Sequence, residues 1–315
     1  MMLTRRHIRV KVMQTLFAFD GTESDDFSKD QKFLLYSIDN MYNLYLLLMS
    51  LLIEINKKAT THLETAQKKH LATEEEKNPN KKFVNNQLLQ LIVNNERLKT
   101  ALEDKKITNW QLDNEYVDLL YKEIKNSDLY KEYMSTKTST FKEDKNFILD
   151  IFKEIIAPND KLYDYLEDKN LTWLDDLPTV NTFILKLLRK LKETSDPVTL
   201  TPKLYKDIED KEYAINLFKK TLLNQSKLGE EISGKTNNWD RDRIASLDMV
   251  LLKMAICELL HFPSIPTKVT INEYLEISKE YSTPKSSIFI NGILDKLLKE
   301  YQNDGKLNKV GRGLM

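Results

Sequence analysis

Only seven glycines and eight prolines interrupt a chain of 315 residues, and that scarcity constrains the fold more than any single motif does. Glycine frees the backbone and proline removes a donor, so short strands and tight turns draw on both. A chain poor in them keeps long uninterrupted stretches, which suit helices. Lys, Glu, Leu and Asp dominate those stretches, as in helical proteins. The apolar spacing agrees. Ile8, Val12, Leu16 and Phe19 recur every three or four residues and form one stripe, with Thr4 placed to cap the helix and Asp20-Gly21 to end it. Ile244, Leu247, Leu251, Met254, Ala255 and Leu259 form a second stripe. Further helices are expected over 31–71, 83–104, 112–134, 144–156, 179–193, 204–228, 267–281 and 286–301. The acidic run 23–26 and residues 135–140 read as loops, and 73–82, with Pro79, as a polar linker. Gly292 lies inside the last helix, where it costs about 1 kcal/mol relative to alanine; a close helix–helix contact would explain it. The expected fold class is all-α.

Forty-one per cent hydrophobic residues suffice for a core, so composition excludes a disordered chain. Lys and Arg total 48, as do Asp and Glu, so the formal net charge is zero. No overall field draws this chain to nucleic acid, and such binding requires a local basic cluster. Cys257 is the one cysteine, which rules out a disulfide framework and fits a reducing cytoplasm. Basic residues open the chain, but no apolar stretch with a cleavage site follows them. The most apolar run, 44–53, is about half the length a bilayer requires and reads as a buried helix.

Gly229-Glu-Glu-Ile-Ser-Gly-Lys235-Thr236 matches the phosphate-loop pattern. Such a loop follows a buried strand, whereas 219–228 reads as a polar-faced helix, and Glu230 and Glu231 oppose phosphate. A helix–helix loop is the better reading. His7, His62, His70 and His261 are scattered without ligand spacing, so no metal site is expected. Cys257 sits in an apolar helix and reads as a packed thiol, and no two carboxylates stand out as an acid–base pair. The basic cluster Arg5, Arg6, His7, Arg9 and Lys11 is more telling. Three of its arginines fall within about one helical turn. Guanidinium forks match phosphate oxygens and stack on bases. Cations at a helix start oppose the helix dipole, which favours an RNA contact over a plain solvated end.

Three blocks in the last third carry a family resemblance. They are Asp240-Arg-Asp-Arg-Ile244 with Leu252-Lys-Met-Ala-Ile-Cys-Glu258-Leu259-Leu260, then Pro266-Thr-Lys-Val-Thr-Ile-Asn272-Glu273, then Ser287-Ile-Phe289-Ile-Asn291-Gly292-Ile-Leu-Asp295-Lys296. In order and spacing they resemble the NusB antitermination family. The opening Arg5-Arg-His-Ile-Arg9, with Gln14-Thr-Leu16-Phe17, is similar to that family's arginine-rich start. The resemblance covers 3–20 and 205–300, and the family's usual member is much shorter. It divides the chain into an N-terminal arginine-rich helix (1–20), an inserted helical region (21–204), a NusB-like C-terminal bundle (205–303) and a basic flexible tail (304–315).

The resemblance implies a NusB-like helical bundle, no cofactor and no catalysis. It implies binding of boxA-type single-stranded RNA with NusE, a small-subunit ribosomal protein, inside the RNA polymerase antitermination complex that reads through rRNA operons. No membrane and no small-molecule substrate enter. Carried over by position, Arg5, Arg6, His7, Arg9 and Lys11 are RNA-binding residues, joined by Lys285 and Phe289 at the start of the last helix. His7 stands where an arginine is common, and Lys285 where the family often has an acid. Phe289 either stacks on a base or packs in the core beneath Gly292. Asp242, Ala245 and Asp248 match the NusE-facing helix. Two rival readings are a helical scaffold that binds only protein, and the NusB-like part of an RNA cytosine methyltransferase. The latter needs a Gly-rich α/β domain and catalytic cysteines, which this chain lacks.

Overall fold

A computed structural model describes residues 1–19, 27–235 and 245–314, and no strand occurs among them. The helices are α1 (Arg5–Ala18), α2 (Phe27–Gln67), α3 (Glu74–Lys77), α4 (Gln87–Val93), α5 (Glu96–Asp104), α6 (Asn109–Leu112), α7 (Asn114–Asn126) and α8 (Asp128–Met134). They continue with α9 (Phe141–Ile151), which runs into a π-helical turn (Phe152–Ile156), α10 (Asp160–Lys169), α11 (Leu177–Lys190), α12 (Ile208–Leu223) and α13 (Gln225–Ser233). The last three are α14 (Ser246–His261), α15 (Thr267–Tyr281) and α16 (Ser286–Asn303). The chain is all-α.

It forms two compact units. Leu3–Ile38 and Leu204–Met315 make the first, and Asp39–Lys203 the second. The insertion is expected from residue 21, whereas the first turns of α2 belong to the first unit.

In the first unit, Thr4 caps α1: its hydroxyl accepts the His7 N–H, and His7 Nδ1 accepts the Thr4 N–H at 3.2 Å. This is a capping box with histidine in the place usually held by Glu or Gln. Ile8, Val12 and Leu16 are buried along the expected stripe. The expected end of this helix at Asp20-Gly21, the loop 23–26 and Ile244 lie outside the described residues. α14 is the hub, packing against α1, α12, α13, α15 and α16. Its apolar residues surround the axis, as a helix enclosed on all sides requires.

Two expectations fail in this unit. Gly292 faces open space, and a Cβ built there meets nothing within 4 Å, so no helix approaches it. The tail is not loose: the Val310 N–H donates to the Pro263 carbonyl (3.1 Å) and Lys309 Nζ to that of Phe262 (3.1 Å). Gly313 lies so close that a Cβ would sit 1.9 Å from the Pro263 oxygen.

The second unit is built on the remainder of α2. Every residue from Leu44 to Ile53 is buried, as expected. By length and composition α2 is long and apolar enough to cross a bilayer, but 78% of its most apolar window is buried inside the fold, which accounts for that character without lipid. Around it, Trp110 Nε1 donates to the Leu47 carbonyl, Trp173 Nε1 to that of Asn40 and the Tyr45 hydroxyl to that of Leu200. The helices expected over 83–104 and 112–134 are each two. Asn95 caps α5 and Ser127 caps α8, each accepting from a backbone N–H three residues on (2.8 and 3.1 Å). In the first unit Asn224 likewise divides 204–228, its amide donating to the Lys220 carbonyl at 2.7 Å.

Candidate nucleic-acid interface

The three arginines of α1 behave differently. Arg9 is 2% exposed. It meets Glu258 of α14, which is fully buried, through a two-pronged pair: Nε to Oε2 at 2.8 Å and Nη2 to Oε1 at 2.7 Å. Glu258 also accepts the hydroxyls of Tyr213 (α12), Thr270 and Tyr274 (α15). A buried carboxylate is tolerable only when paired and saturated with donors, and this one is both. Burial opposes the Arg9 charge, but Tyr213 and Glu258 outweigh it and hold its pKa above the ordinary value. One side chain thereby ties four helices together.

Arg5 and Arg6 point outward, 39% and 42% exposed. Arg5 Nε meets Asp210 of α12 at 3.0 Å, with its guanidinium 5.1 Å from the Tyr213 ring centre. Arg6 meets Glu273 of α15 through Nε and Nη2, both at 2.9 Å. The Arg6 hydrogen bonds hold the Glu273 carboxyl below the usual carboxylate range, against partial desolvation. Glu273 is shared, since Arg9 Nη1 lies 3.6 Å away. The carboxylates fix both outer arginines while leaving the two Nη groups of Arg5 and the Nη1 of Arg6 without a protein hydrogen bond among the described residues.

Several expected contacts need correction. Arg9 and Lys11 are each 2% exposed, so neither presents its charge to a ligand on the surface. Asp248 is also buried: its two oxygens accept the hydroxyls of Ser282 (2.6 Å) and Ser286 (2.7 Å), fixing the turn between α15 and α16. Ala245 is half-buried ahead of α14, and Asp242 lies outside the described residues. Lys285 is exposed immediately before α16, and Phe289, one turn in, is half-buried. α15 packs against both α1 and α16, and so lies between the two groups of expected RNA contacts.

The other candidate chemistries do not assemble. α13 runs through Gly229 behind another helix, with no strand, and Lys235 pairs with Glu300 at 2.6 Å; Thr236 lies outside the described residues. Burial pushes the Cys257 thiol up to about 11, away from thiolate reactivity. No group of metal-ligating side chains occurs among the described residues. Sequence reasoning missed Asp210, Tyr213, Glu258, Thr270 and Tyr274 as functional neighbours. Glu258 alone carried a signal, an acid inside the otherwise apolar run of α14.

Residues 188–299 match the model of the NusB family. A transcription antitermination protein NusB of Salinibacter ruber is 43% identical over 112 residues, which cover 36% of this chain and 70% of that protein. The chain belongs to the NusB family. Its relatives of the same name from Clostridium botulinum (45% over 94 residues, 29% of this chain and 71% of that protein) and Chloroherpeton thalassium (40% over 109 residues, 35% and 52%) agree. Of the Chloroherpeton relative, this chain therefore spans only about half the length. A crystal form of T. maritima NusB is 31% identical and is covered over 87% of its length, 38% of this chain; the TM-score is 0.30, so the superposition carries no argument. The family match begins at 188 and excludes α1, yet α1 reaches the matched segment through Asp210, Glu258 and Glu273.

Proposed function

We propose that this chain is a cytoplasmic RNA-binding antitermination factor. It binds boxA-type single-stranded RNA together with NusE and supports processive transcription of rRNA operons in the RNA polymerase antitermination complex. One observation carries this proposal: Arg5 and Arg6 sit at one helix start, each oriented by a carboxylate and each with N–H groups left for phosphate oxygens. Pre-oriented forks bind with less loss of side-chain freedom than free arginines do. His7, Lys285 and Phe289 extend the RNA surface, Phe289 offering a ring to an unstacked base. Arg9 and Lys11 act from inside, Arg9 by anchoring the helix that presents Arg5 and Arg6. Asp242, Ala245 and Asp248 are assigned to NusE, Asp248 by fixing the turn between α15 and α16. No catalytic step, cofactor or metal is assigned.

Fluorescence anisotropy with a short boxA RNA and a scrambled control, each with and without NusE and at several salt concentrations, tests it. Tighter boxA binding that strengthens with NusE is expected. The Arg5→Ala/Arg6→Ala variant should lower the salt slope by roughly 0.7 for each phosphate it no longer neutralises. Equal, weak binding of both RNAs by wild type and variant would instead favour a scaffold that binds protein alone.

A further inference from the structure

The second unit holds a half-open cleft of about 500 Å³. One wall is a row of carboxamides from α4. Gln87, Gln90 and the following Asn94 are spaced i, i+3, i+7 and share a helix face. They are already chained: Asn94 Nδ2 donates to Gln90 Oε1 (3.0 Å), and Gln90 Nε2 donates to the Val84 carbonyl (2.7 Å). These bonds fix the amides and leave the carbonyl oxygens of Gln87 and Asn94, with one N–H of Asn94, for a ligand. Carboxamides both donate and accept, as the main chain of an extended peptide does. Phe141 and Leu191 supply an apolar wall, and Glu193 and Asp196 lie on the rim. Asp196 uses one oxygen to cap the turn at Val198 (2.8 Å), which leaves the other for a ligand. No lining side chain is basic, and the Lys145 ammonium, 5.7 Å from the Phe141 ring centre, is taken up by the Leu191 and Arg189 carbonyls (3.1 and 3.2 Å). An acidic rim repels the phosphates that accompany any RNA base and attracts lysine or arginine.

We infer that this cleft binds an extended, basic segment of a partner protein. The amide row pairs with the segment's main chain, one apolar side chain lies between Phe141 and Leu191, and a lysine or arginine meets Glu193 and Asp196. The site belongs wholly to the second unit and does not rest on the RNA reading.

Random octapeptides displayed on phage, selected against the full-length chain, test the inference. Selected peptides should carry lysine or arginine beside an apolar residue. In anisotropy they should lose about tenfold in affinity for Glu193→Lys/Asp196→Asn, a pair that keeps the Asp196 cap. Asn94→Ala, an exposed change, should also weaken them, whereas Glu123→Lys, outside the cleft, should not. Failure to enrich any peptide overturns the site, as does enrichment of peptides indifferent to the cleft variants. A pool of random hexaribonucleotides serves as competitor: displacement of the peptides by RNA whose own binding is lost in Asn94→Ala would make the cleft a nucleobase pocket and overturn the peptide reading.

Discussion

Among the described residues, the most deeply buried carboxylate of each unit is satisfied in a different way. Glu258, in the first unit, is neutralised by Arg9 and saturated by hydroxyls from α12 and α15. Asp144, in the second, has no cation in contact among the described residues. It accepts the Tyr133 hydroxyl and the Gln87 N–H, while the nearby Lys82 turns its ammonium to the Tyr133 carbonyl (2.7 Å) and ring. The Arg9–Glu258 pair closes a loop of 249 residues, whereas the Asp144 partners lie within 57. Charge pairing thus fastens the unit assembled from the two ends of the chain, and neutral donors suffice where the partners are near in sequence.

The largest expected effect breaks the pairing. Arg9→Met removes the cation while keeping bulk, leaves Glu258 buried and uncompensated, and should cost about 3–5 kcal/mol in urea melts. Arg9→Met/Glu258→Met together should recover most of that loss, and a double variant as unstable as the single one would refute the charge argument. Tyr133→Phe should cost less, about 1–3 kcal/mol, because a neutral donor is lost. Hydrogen exchange should place this loss in α4, α8 and α9 alone. Equal costs for the two single variants would erase the distinction between the units. Gly292→Ala should stabilise the first unit by about 1 kcal/mol, read from the melting temperature.

Titration separates the units with smaller effects. Glu273 has a lowered pKa through its Arg6 hydrogen bonds, so its stabilisation is present above the ordinary carboxylate range and lost as pH falls through the folded value. The stability difference between wild type and Glu273→Gln should therefore shrink towards acid. His62, in the second unit, is lowered by burial and by Lys125, Lys69 and Lys58. Protonation opposes its folded state, so its contribution is present above the ordinary histidine value and lost as pH falls through the lower folded one. His62→Gln should flatten that small dependence, as measured by hydrogen exchange in α2 and α7.

Much of the helical layout was legible because periodic apolar residues, as at Ile8, Val12 and Leu16, report one buried face directly. Helix breaks were not. Breaks are expected where glycine and proline cluster, whereas Asn95 and Ser127 open new helices with their own side chains and the Asn224 amide bonds back to the last turn of α12. The arginine cluster was visible, but its division was not. Arg9 and Arg5 are one helical turn apart, and only the position of Glu258 on a helix far along the chain decides that Arg9 turns inward. The inward role of Asp248 was hidden for the same reason, since Ser282 and Ser286 become its partners only after α15 and α16 have folded back.

The first unit's discontinuity sets a timetable for synthesis. All of Asp39–Lys203 leaves the ribosome before Leu204, so the second unit can complete itself while only Leu3–Ile38 of the first has been made. Arg9 must then wait for Glu258, which follows 249 residues later. At typical elongation rates that is roughly 12–50 s. Throughout that interval the apolar face of α1 lacks its native cover, a natural client for a chaperone at the tunnel exit.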